Sequence, residues 1–363
     1  MTVASKIIAP GTHEHYRHSD LLSFATKLAT TSGLPQDRAA MVAENLIEAD
    51  LMGHSTHGLA QLPGVLRNIE SGAVRATGEP DVIGDHGSAV VWDAAGLPGT
   101  WLLAKAIDEA CARAKTIPVV TYVIRRSANI ACLGAYLRRA TDRGMVIWIM
   151  NSDPAMRTVV PAGGLDPQIA PNPMAFGYPT KSDPILIDIS TSPIANGWIR
   201  RWAAEGTKLP EPWLQDVEGK LSDDPSTLFG KPPGSMLPLG GTLLGHKGFA
   251  LGLIVEVLTA ALGGTGRANP KASAGGTPVF LQIINPDFFS GNEALKEEAG
   301  WLADACRNSR SRPGEPAVRM PGDSANAMRR KQMDEGVVLH PSIMPELRKV
   351  AEKLQIDVPR PLN

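Results

Sequence analysis

The spacing of apolar residues divides this chain into a helical beginning and a longer part in which strands and helices alternate. Before about residue 75, apolar side chains recur every three or four positions, as Ala39, Val42 and Leu46 do, which is typical of helices with one buried face. Short apolar runs such as AVVWD (89–93) and MVIWIM (145–150) then alternate with helical segments. This order predicts an all-helical N-terminal part followed by a layered α/β domain.

Two later segments have a different composition. Residues 205–238 are rich in proline, glycine and charge, and this composition predicts surface loops. The apolar run GFALGLIVEVLTAALGG contains Glu256 and is shorter than the roughly 20 residues that a bilayer span needs. We therefore expect a buried helix of a soluble protein and no membrane partner.

Charge and cysteine content exclude some partners and indicate a compartment. The 363 residues carry a net charge of −1 without a basic stripe, so we expect no nucleic acid partner. The three cysteines, Cys111, Cys132 and Cys306, are odd in number and far apart, which favours reduced thiols over a disulfide framework. The N-terminus lacks the long apolar core of a signal peptide. These features predict a cytoplasmic protein.

The segment ADLMGHSTHGLAQLP (49–63) holds His54 and His57 three residues apart. A zinc site needs at least a third protein ligand, and no neighbouring cysteine pair or second histidine motif supplies one, so we expect no metal centre. Asp50 could fix the tautomer of His54, and a histidine suits proton transfer near neutral pH. A polar helix end with exposed imidazoles is an equal alternative. The histidines of GTHEHYRH (11–18) are expected in a solvated, mobile tail.

Two glycine-containing segments are candidate ligand sites, each with a plain alternative. No G-x-G-x-x-G follows a strand, and GGTLLGHKG (240–248) has His246 where a phosphate loop needs lysine. Lys247 at a helix start could bind an anion or be solvated at a glycine turn. DISTSPIANG (188–197) follows an apolar strand, where α/β proteins place ligands, but its residues also favour turns and helix caps.

Together these segments resemble the malate/L-lactate dehydrogenase type-2 family of NAD(P)-dependent oxidoreductases. Its relatives include ureidoglycolate, sulfolactate and diketogulonate dehydrogenases and Δ1-piperideine-2-carboxylate reductase. The resemblance rests on six segments in the family order, and they extend over most of the chain: ADLMGHSTHGLAQLP, APNPMAFGYP, DISTSPIANG, GHKGFALGLIVEVLTAALGG, INPDFF and MPGD.

The resemblance implies an α/β (mixed α+β) fold that is not a Rossmann domain: a helical domain plus a central mixed-sheet α/β domain. Residues 1–76 would form the N-terminal part of the helical domain. Residues 77–245 would form the central, cofactor-associated domain. Residues 246–363 would be a helix-rich part that returns to the helical domain. The family also implies a homodimer with active sites near the subunit contact.

The resemblance also assigns site residues. His57 would be the catalytic proton donor or acceptor, and Asn129 stands where many relatives carry a second histidine. Ser55 and Thr56 would contact the substrate, a small carboxylate. The cofactor, NAD or NADP, would be bound by Asp188, Ile189, Ser190, Thr191, Ser192, Pro193, Ile194, His246, Lys247, Gly322, Asp323 and Ser324.

Several positions depart from the family pattern. Ala131 replaces a glycine, Gln61 stands near a usual arginine, and Trp198 replaces a usual lysine, with Arg200 and Arg201 close behind.

The predicted activity is hydride transfer between nicotinamide and a 2-hydroxy or 2-oxo carboxylate. A cyclic ketimine reductase is one alternative. A family member that binds a nucleotide or metabolite without turnover is another, because asparagine cannot exchange a proton near pH 7.

Overall fold

A computed structural model describes residues 14–268 and 276–362. The helical domain is built from both ends of these residues, as predicted. Its N-terminal elements are α1 (His18–Thr31), α2 (Gln36–Leu51) and α3 (Leu62–Glu70), and α3 follows a short 3₁₀ turn at Leu59–Gln61. Its C-terminal elements are α9 (Asp323–Glu335) and α10 (Ile343–Leu354). Strands β1 (His15–Tyr16) and β12 (Val337–Val338) pair antiparallel and join the two ends.

A seven-stranded mixed sheet forms the centre of the molecule, with strand order β2-β3-β4-β11-β5-β6-β7. Only β3 and β4 run parallel, and α4 (Gly99–Arg113) makes the crossover between them. Helices α5 (Leu137–Thr141) and α8 (Asn292–Arg307) complete this part. The strands are β2 (Asp81–Asp85), β3 (Ala89–Asp93), β4 (Val119–Ser127), β5 (Val146–Asn151), β6 (Met174–Tyr178), β7 (Ile185–Ile189) and β11 (Thr277–Ile284).

One central strand comes from the C-terminal third of the chain. Strand β11 pairs antiparallel with both β4 and β5, so part of the segment 246–363 belongs to the sheet and not to the helical domain. The strand itself was predicted from its apolar run, but its position between β4 and β5 was not. The predicted domain limits at residues 76 and 245 stay predictions.

The expectation of surface loops between residues 205 and 238 is confirmed in part, because most of this stretch is exposed and has no regular secondary structure. After α6 (Asn196–Glu205), the chain forms a three-stranded sheet of order β10-β8-β9, with β8 (Leu214–Gln215), β9 (Leu221–Ser222) and β10 (Ser235–Met236). Two-residue strands are too short to show a periodic pattern. They nevertheless bury a separate apolar cluster that includes Ile199, Trp202, Leu214 and Met236.

The apolar helix is longer and more exposed than predicted. Helix α7 (Gly241–Glu256) continues through one wider turn at Val257–Ala261, and this 21-residue stretch has the length and composition that a membrane span requires, with a third of it buried. The expectation of a buried helix is wrong, because Leu243 is 84% exposed and Leu253, Ile254 and Val257 are also exposed. Glu256 is not solvated, since it pairs with Arg267 at 2.7 Å.

The expected histidine tail is also corrected. His13 lies outside the described residues. His15 begins strand β1 and His18 begins helix α1, so the chain is part of the fold by residue 15.

Candidate active site

The segment between α2 and the 3₁₀ turn is a loop anchored by a buried carboxyl group. Asp50, in the last turn of α2, accepts a hydrogen bond from the backbone N–H of Leu59 at 2.7 Å. Its other oxygen, Oδ1, is buried without a hydrogen-bond partner. Burial raises the pKa of Asp50 to about 7. The carboxyl group therefore holds the loop backbone, and the expected role of Asp50 in fixing the His54 ring is wrong.

Glycine at position 58 is required by the same contact. A Cβ atom there would lie 2.3 Å from the carboxyl carbon of Asp50, far inside van der Waals contact. Packing therefore requires glycine at the last position of S-T-H-G. His57 is the residue immediately before this glycine, which lies over the buried carboxyl group.

His57 is the best-supported proton-transfer group in this loop. Its Nδ1 lies 2.8 Å from Thr56 Oγ1, and a Cβ atom on Gly197 of α6 would lie 3.6 Å from its Cε1. Burial lowers the pKa of His57, while the negative charge of Asp188 opposes that change. Burial therefore favours the neutral imidazole ring, while the carboxylate of Asp188 favours its protonated form.

Ser55 and Gln61 hold the loop from outside the cavity. The two terminal nitrogens of Arg201 donate to Ser55, one to Oγ at 2.9 Å and one to the carbonyl oxygen at 3.0 Å. Gln61 Nε2 donates to the carbonyl oxygen of Thr56 at 2.8 Å. Ser55 does not line the cavity, so its contacts support positioning of the loop and not the predicted substrate contact.

Asp188, near the end of β7, is held by the segment that precedes α5. Its Oδ2 accepts from the backbone N–H of Gly134 at 2.7 Å, and Cys132 Sγ lies 3.5 Å from the same oxygen. A Cβ atom on Gly134 would lie 2.9 Å from that oxygen, so glycine allows the close approach. Burial and the charge of Asp188 raise the pKa of the Cys132 thiol well above its ordinary value. His54 completes this group, because its ring nitrogen, the sulfur and the carboxylate oxygen all lie within 4.8 Å of one another.

Asn129 lines the cavity but uses its oxygen locally. Asn129 Oδ1 accepts from the backbone N–H of Ala131 at 2.7 Å. Ala131 has a φ of +58°, a conformation that favours glycine. Ala131, which replaces the family glycine, is therefore strained. Because Asn129 Oδ1 is already bonded, the amide nitrogen of Asn129 is the group left to contact a ligand.

One cavity of about 550 Å³ brings most predicted site residues together. Thr56 and His57 lie on one side, and Asn129 with its neighbours lies on another. The end of β7 and the turn after this strand supply the other predicted residues that line the cavity: Asp188, Ile189, Ser190, Ser192, Pro193 and Ile194. Thr191 points elsewhere, since its buried hydroxyl donates to the carbonyl oxygen of Pro171 at 2.9 Å.

The predicted residues His246 and Lys247 do not line this cavity. Helix α7 begins at Gly241, so both residues lie in its second turn, where backbone N–H groups are used inside the helix. Both side chains are exposed. Helix α7 begins six residues before the predicted start at Lys247, so Lys247 does not open a helix, and the cofactor contacts assigned to His246 and Lys247 stay predictions.

The predicted residues Gly322, Asp323 and Ser324 also lie away from the cavity. They begin α9, and a Cβ atom on Gly322 would lie 2.8 Å from the backbone nitrogen of Leu186. Asp323 forms a salt bridge with Arg307 at 2.7 Å, and Ser324 Oγ accepts a hydrogen bond from Arg319. In this chain the segment packs α9 against β7.

The sequence reading missed two asparagines that line the cavity. Asn172 donates to the carbonyl oxygen of Gly252 at 3.1 Å and to Glu256 at 3.0 Å, while its own Oδ1 is buried without a partner. Asn196 Oδ1 is likewise buried and unpartnered. Both lie in segments that carry the family resemblance, APNPMAFGYP and DISTSPIANG. Buried acceptors without protein donors are the signal that a structure adds, because such oxygens normally bind a donor.

Comparison with known proteins identifies the class. The family model for malate/L-lactate dehydrogenase matches residues 16–348, and the chain belongs to this family. It is 30% identical to an L-lactate dehydrogenase of Cupriavidus necator over 92% of this chain and 96% of the relative. It is also 30% identical to a (2R)-3-sulfolactate dehydrogenase (NADP(+)) of Chromohalobacter salexigens, over 92% of this chain and 97% of the relative.

A solved structure gives the same result for the fold. The chain superposes on Δ1-piperideine-2-carboxylate reductase of Pseudomonas syringae with a TM-score of 0.78 and 28% identity, over 93% of this chain and 100% of that one. The predicted family and the predicted fold are both confirmed.

Proposed function

We propose that this protein is an NAD(P)-dependent oxidoreductase that transfers hydride between nicotinamide and a small 2-hydroxy or 2-oxo carboxylate. The observation that carries the proposal is the arrangement of His57, Thr56 and Asp188 around one cavity in a chain of the malate/L-lactate dehydrogenase family. Proton transfer beside a hydride acceptor requires a neutral base, a residue that orients the base and a carboxylate that stabilises its charged form.

The cavity has features that fit a nicotinamide cofactor. Asn172 and Asn196 line the cavity, and their buried side-chain oxygens lack protein donors, so a rotation of either amide would bring an acceptor to the N–H groups of a carboxamide. Ser190 and Ser192 add hydroxyl groups, and Ile189, Pro193 and Ile194 add an apolar wall. Bound NAD(P) would supply the hydride acceptor or donor for the reaction. Neither NAD nor NADP is favoured by these residues.

His57 would move the proton. In the oxidative direction its neutral ring accepts the proton of the substrate hydroxyl group, and Thr56 fixes the ring orientation through Nδ1. The carboxylate of Asp188 then stabilises the imidazolium. In the reductive direction the same imidazolium returns the proton to the developing alkoxide. Gly58 and Asp50 keep the loop in place without contacting the reacting atoms.

The described lining of the cavity favours a second candidate substrate class. No lysine or arginine side chain is among its lining residues, whereas Trp198 and Trp213 are. A substrate carboxylate would therefore be bound by neutral donors such as Asn129, and aromatic walls suit a ring. This observation supports cyclic 2-imino carboxylates beside open-chain acids, with His57 donating the proton to the imine nitrogen.

A substrate screen tests the proposal. Purified protein would be assayed with 2-oxo acids and with five- and six-membered cyclic imino acids, each with NADH and with NADPH, by the absorbance of the reduced cofactor. Turnover that disappears in His57→Asn supports the proposal and ranks the substrate classes. Calorimetric binding of NADH or NADPH without turnover on any substrate would instead support a family member that binds a nucleotide without chemistry.

We also propose that the protein is a cytoplasmic homodimer. The three cysteines are free thiols, which fits a reducing compartment. The exposed apolar side chains of α7, Leu243, Leu253, Ile254 and Val257, form a face that a second copy would cover. A second copy is favoured over a membrane because Glu256, Arg267 and the central sheet contact this helix from its other side.

A further inference from the structure

A cluster of three metal-ligating side chains lies beside the proposed proton-transfer residues. His54 comes from the loop after α2, Cys132 from the segment before α5 and Asp188 from β7. The ring nitrogen, the sulfur and a carboxylate oxygen lie within 4.8 Å of one another. We propose that these residues form a site for a divalent transition-metal cation, zinc above all, which blocks the active-site cavity when it is bound.

The donor set selects the class of cation. A neutral imidazole, a thiolate and a carboxylate are the three ligand types of zinc sites, whereas magnesium and calcium require oxygen ligands. Bond lengths of about 2.0–2.3 Å in a tetrahedral site place donors roughly 3.3–3.8 Å apart. The 3.5 Å between Cys132 Sγ and Asp188 Oδ2 already matches that separation. The three donor atoms lie within 4.8 Å of one another, so the His54 ring would need to move by up to roughly 1.5 Å to complete the site.

The surroundings hold the ligands in place. The backbone N–H of Gly134 donates to Asp188 Oδ2 at 2.7 Å, the kind of contact that orients a ligating carboxylate. Cys132 is buried, while His54 and Asp188 are partly exposed, and all three line the cavity. The fourth position would therefore face the cavity and be filled by water, as in sites with three protein ligands.

The location of the metal site inside the cavity determines what metal binding would do to the reaction. Asp188 and His54 line the same cavity as His57, and a bound cation would occupy the Asp188 carboxylate. The cation would also occupy volume in the cavity that receives the cofactor and substrate. Metal binding would therefore inhibit the proposed reaction.

Metal binding to the whole protein tests the site without any substrate. The purified chain would be titrated with Zn²⁺ by calorimetry and with Co²⁺ by absorption spectroscopy, where a thiolate-to-cobalt charge-transfer band reports sulfur ligation. We expect one equivalent per chain and a band that is lost in Cys132→Ser. Cys306→Ser, a thiol outside the cluster, should keep both.

A second variant separates ligation from misfolding. His54→Gln changes a loop residue that is partly exposed, and circular dichroism would establish that it is folded. It should weaken Zn²⁺ binding by about 10²-fold or more, since even residues that only orient a ligand are worth about 10–100-fold. Wild-type protein that binds no Zn²⁺ or Co²⁺ at micromolar concentration, or binding that survives both Cys132→Ser and His54→Gln, overturns the proposal. Neither outcome depends on whether the protein has dehydrogenase activity.

Discussion

Arg201 of α6 holds Ser55 by two hydrogen bonds, to the side-chain oxygen at 2.9 Å and to the carbonyl oxygen at 3.0 Å. The guanidinium group also lies over the Trp198 ring, 4.9 Å from its centroid. This contact ties the helix after the DISTSPIANG segment to the loop that carries His57. The two halves of the proposed active site are thus positioned by one side chain that does not line the cavity.

Replacing Arg201 by lysine should therefore impair catalysis through position. Lysine keeps the charge but cannot make two parallel hydrogen bonds. We expect kcat/KM to fall by about tenfold, because small misplacements of a catalytic group cost up to about 10²-fold, while the melting temperature changes little. Arg200→Lys, an exposed neighbour on the same helix, is the matched control. Equal kinetics for the two variants would exclude the positioning role.

Replacing His57 by asparagine tests the proton-transfer assignment. Both kcat and kcat/KM should fall by about 10²–10⁴-fold, the usual contribution of a positioned acid or base. His54→Asn should cost less, because Thr56 orients the His57 ring and the backbone contact between His54 and His57 survives the substitution. Steady-state kinetics on the best substrate of the screen measures both variants. A larger loss in His54→Asn than in His57→Asn would reverse the assignment.

Asp50 should make the protein less stable as the pH rises. Its pKa is raised from 3.8 to about 7 by burial, so the folded state binds a proton that the unfolded state releases between these values. The stability contributed by the protonated group is complete below about pH 4 and is lost as the pH rises through 7. Asp50→Asn mimics the protonated form and should lack this loss. Urea unfolding at pH 5 and pH 8 measures the difference, and parallel pH slopes for both proteins would refute it.

Ala131 should be improved by glycine. An alanine with a φ of +58° carries a steric cost of about 1–2 kcal/mol, of which the larger backbone entropy of glycine offsets about 0.4–1 kcal/mol. Ala131→Gly should raise the free energy of unfolding by up to about 1.6 kcal/mol, measured by urea denaturation. Ala299→Gly, inside helix α8, should instead lower it by about 1 kcal/mol. Destabilisation by both variants would show that Ala131 is not strained.

The exposed face of α7 should be a subunit contact. Light scattering should give twice the 38.6 kDa mass of the chain, and Leu243→Glu combined with Ile254→Glu should shift the protein toward the monomer. Leu165→Glu, at an exposed leucine outside α7, controls for added charge. A monomeric wild-type protein would contradict the assembly proposal and leave the fold assignment intact.

Local patterns predicted many elements, and the family segments named His57 and Asp188, which the fold brings to one cavity. AVVWD matches strand β3 at both ends, because alternating burial in a short strand is visible in the sequence. What failed depends on distant contacts. The Asp50 carboxyl group binds Leu59 and not His54, while the cofactor contacts predicted for Gly322–Ser324 stay predictions. Cys132 joins His54 only because β7 brings Asp188 between the two segments, and no spacing along the chain indicates that meeting.

Because β11 lies in the middle of the central sheet, its late position in the chain determines when this sheet can form during synthesis. Val279 pairs with Ile124 on one side and Asn151 on the other, so β4 and β5 have no neighbour between them until the chain beyond residue 280 has left the ribosome. Until then both strands present open edges, which invite pairing with other chains, and closure must overcome a large sequence separation. Chains cut short before Thr277 would lack the middle of the sheet, and a nascent chain would expose these two edges for most of its synthesis, which favours aggregation.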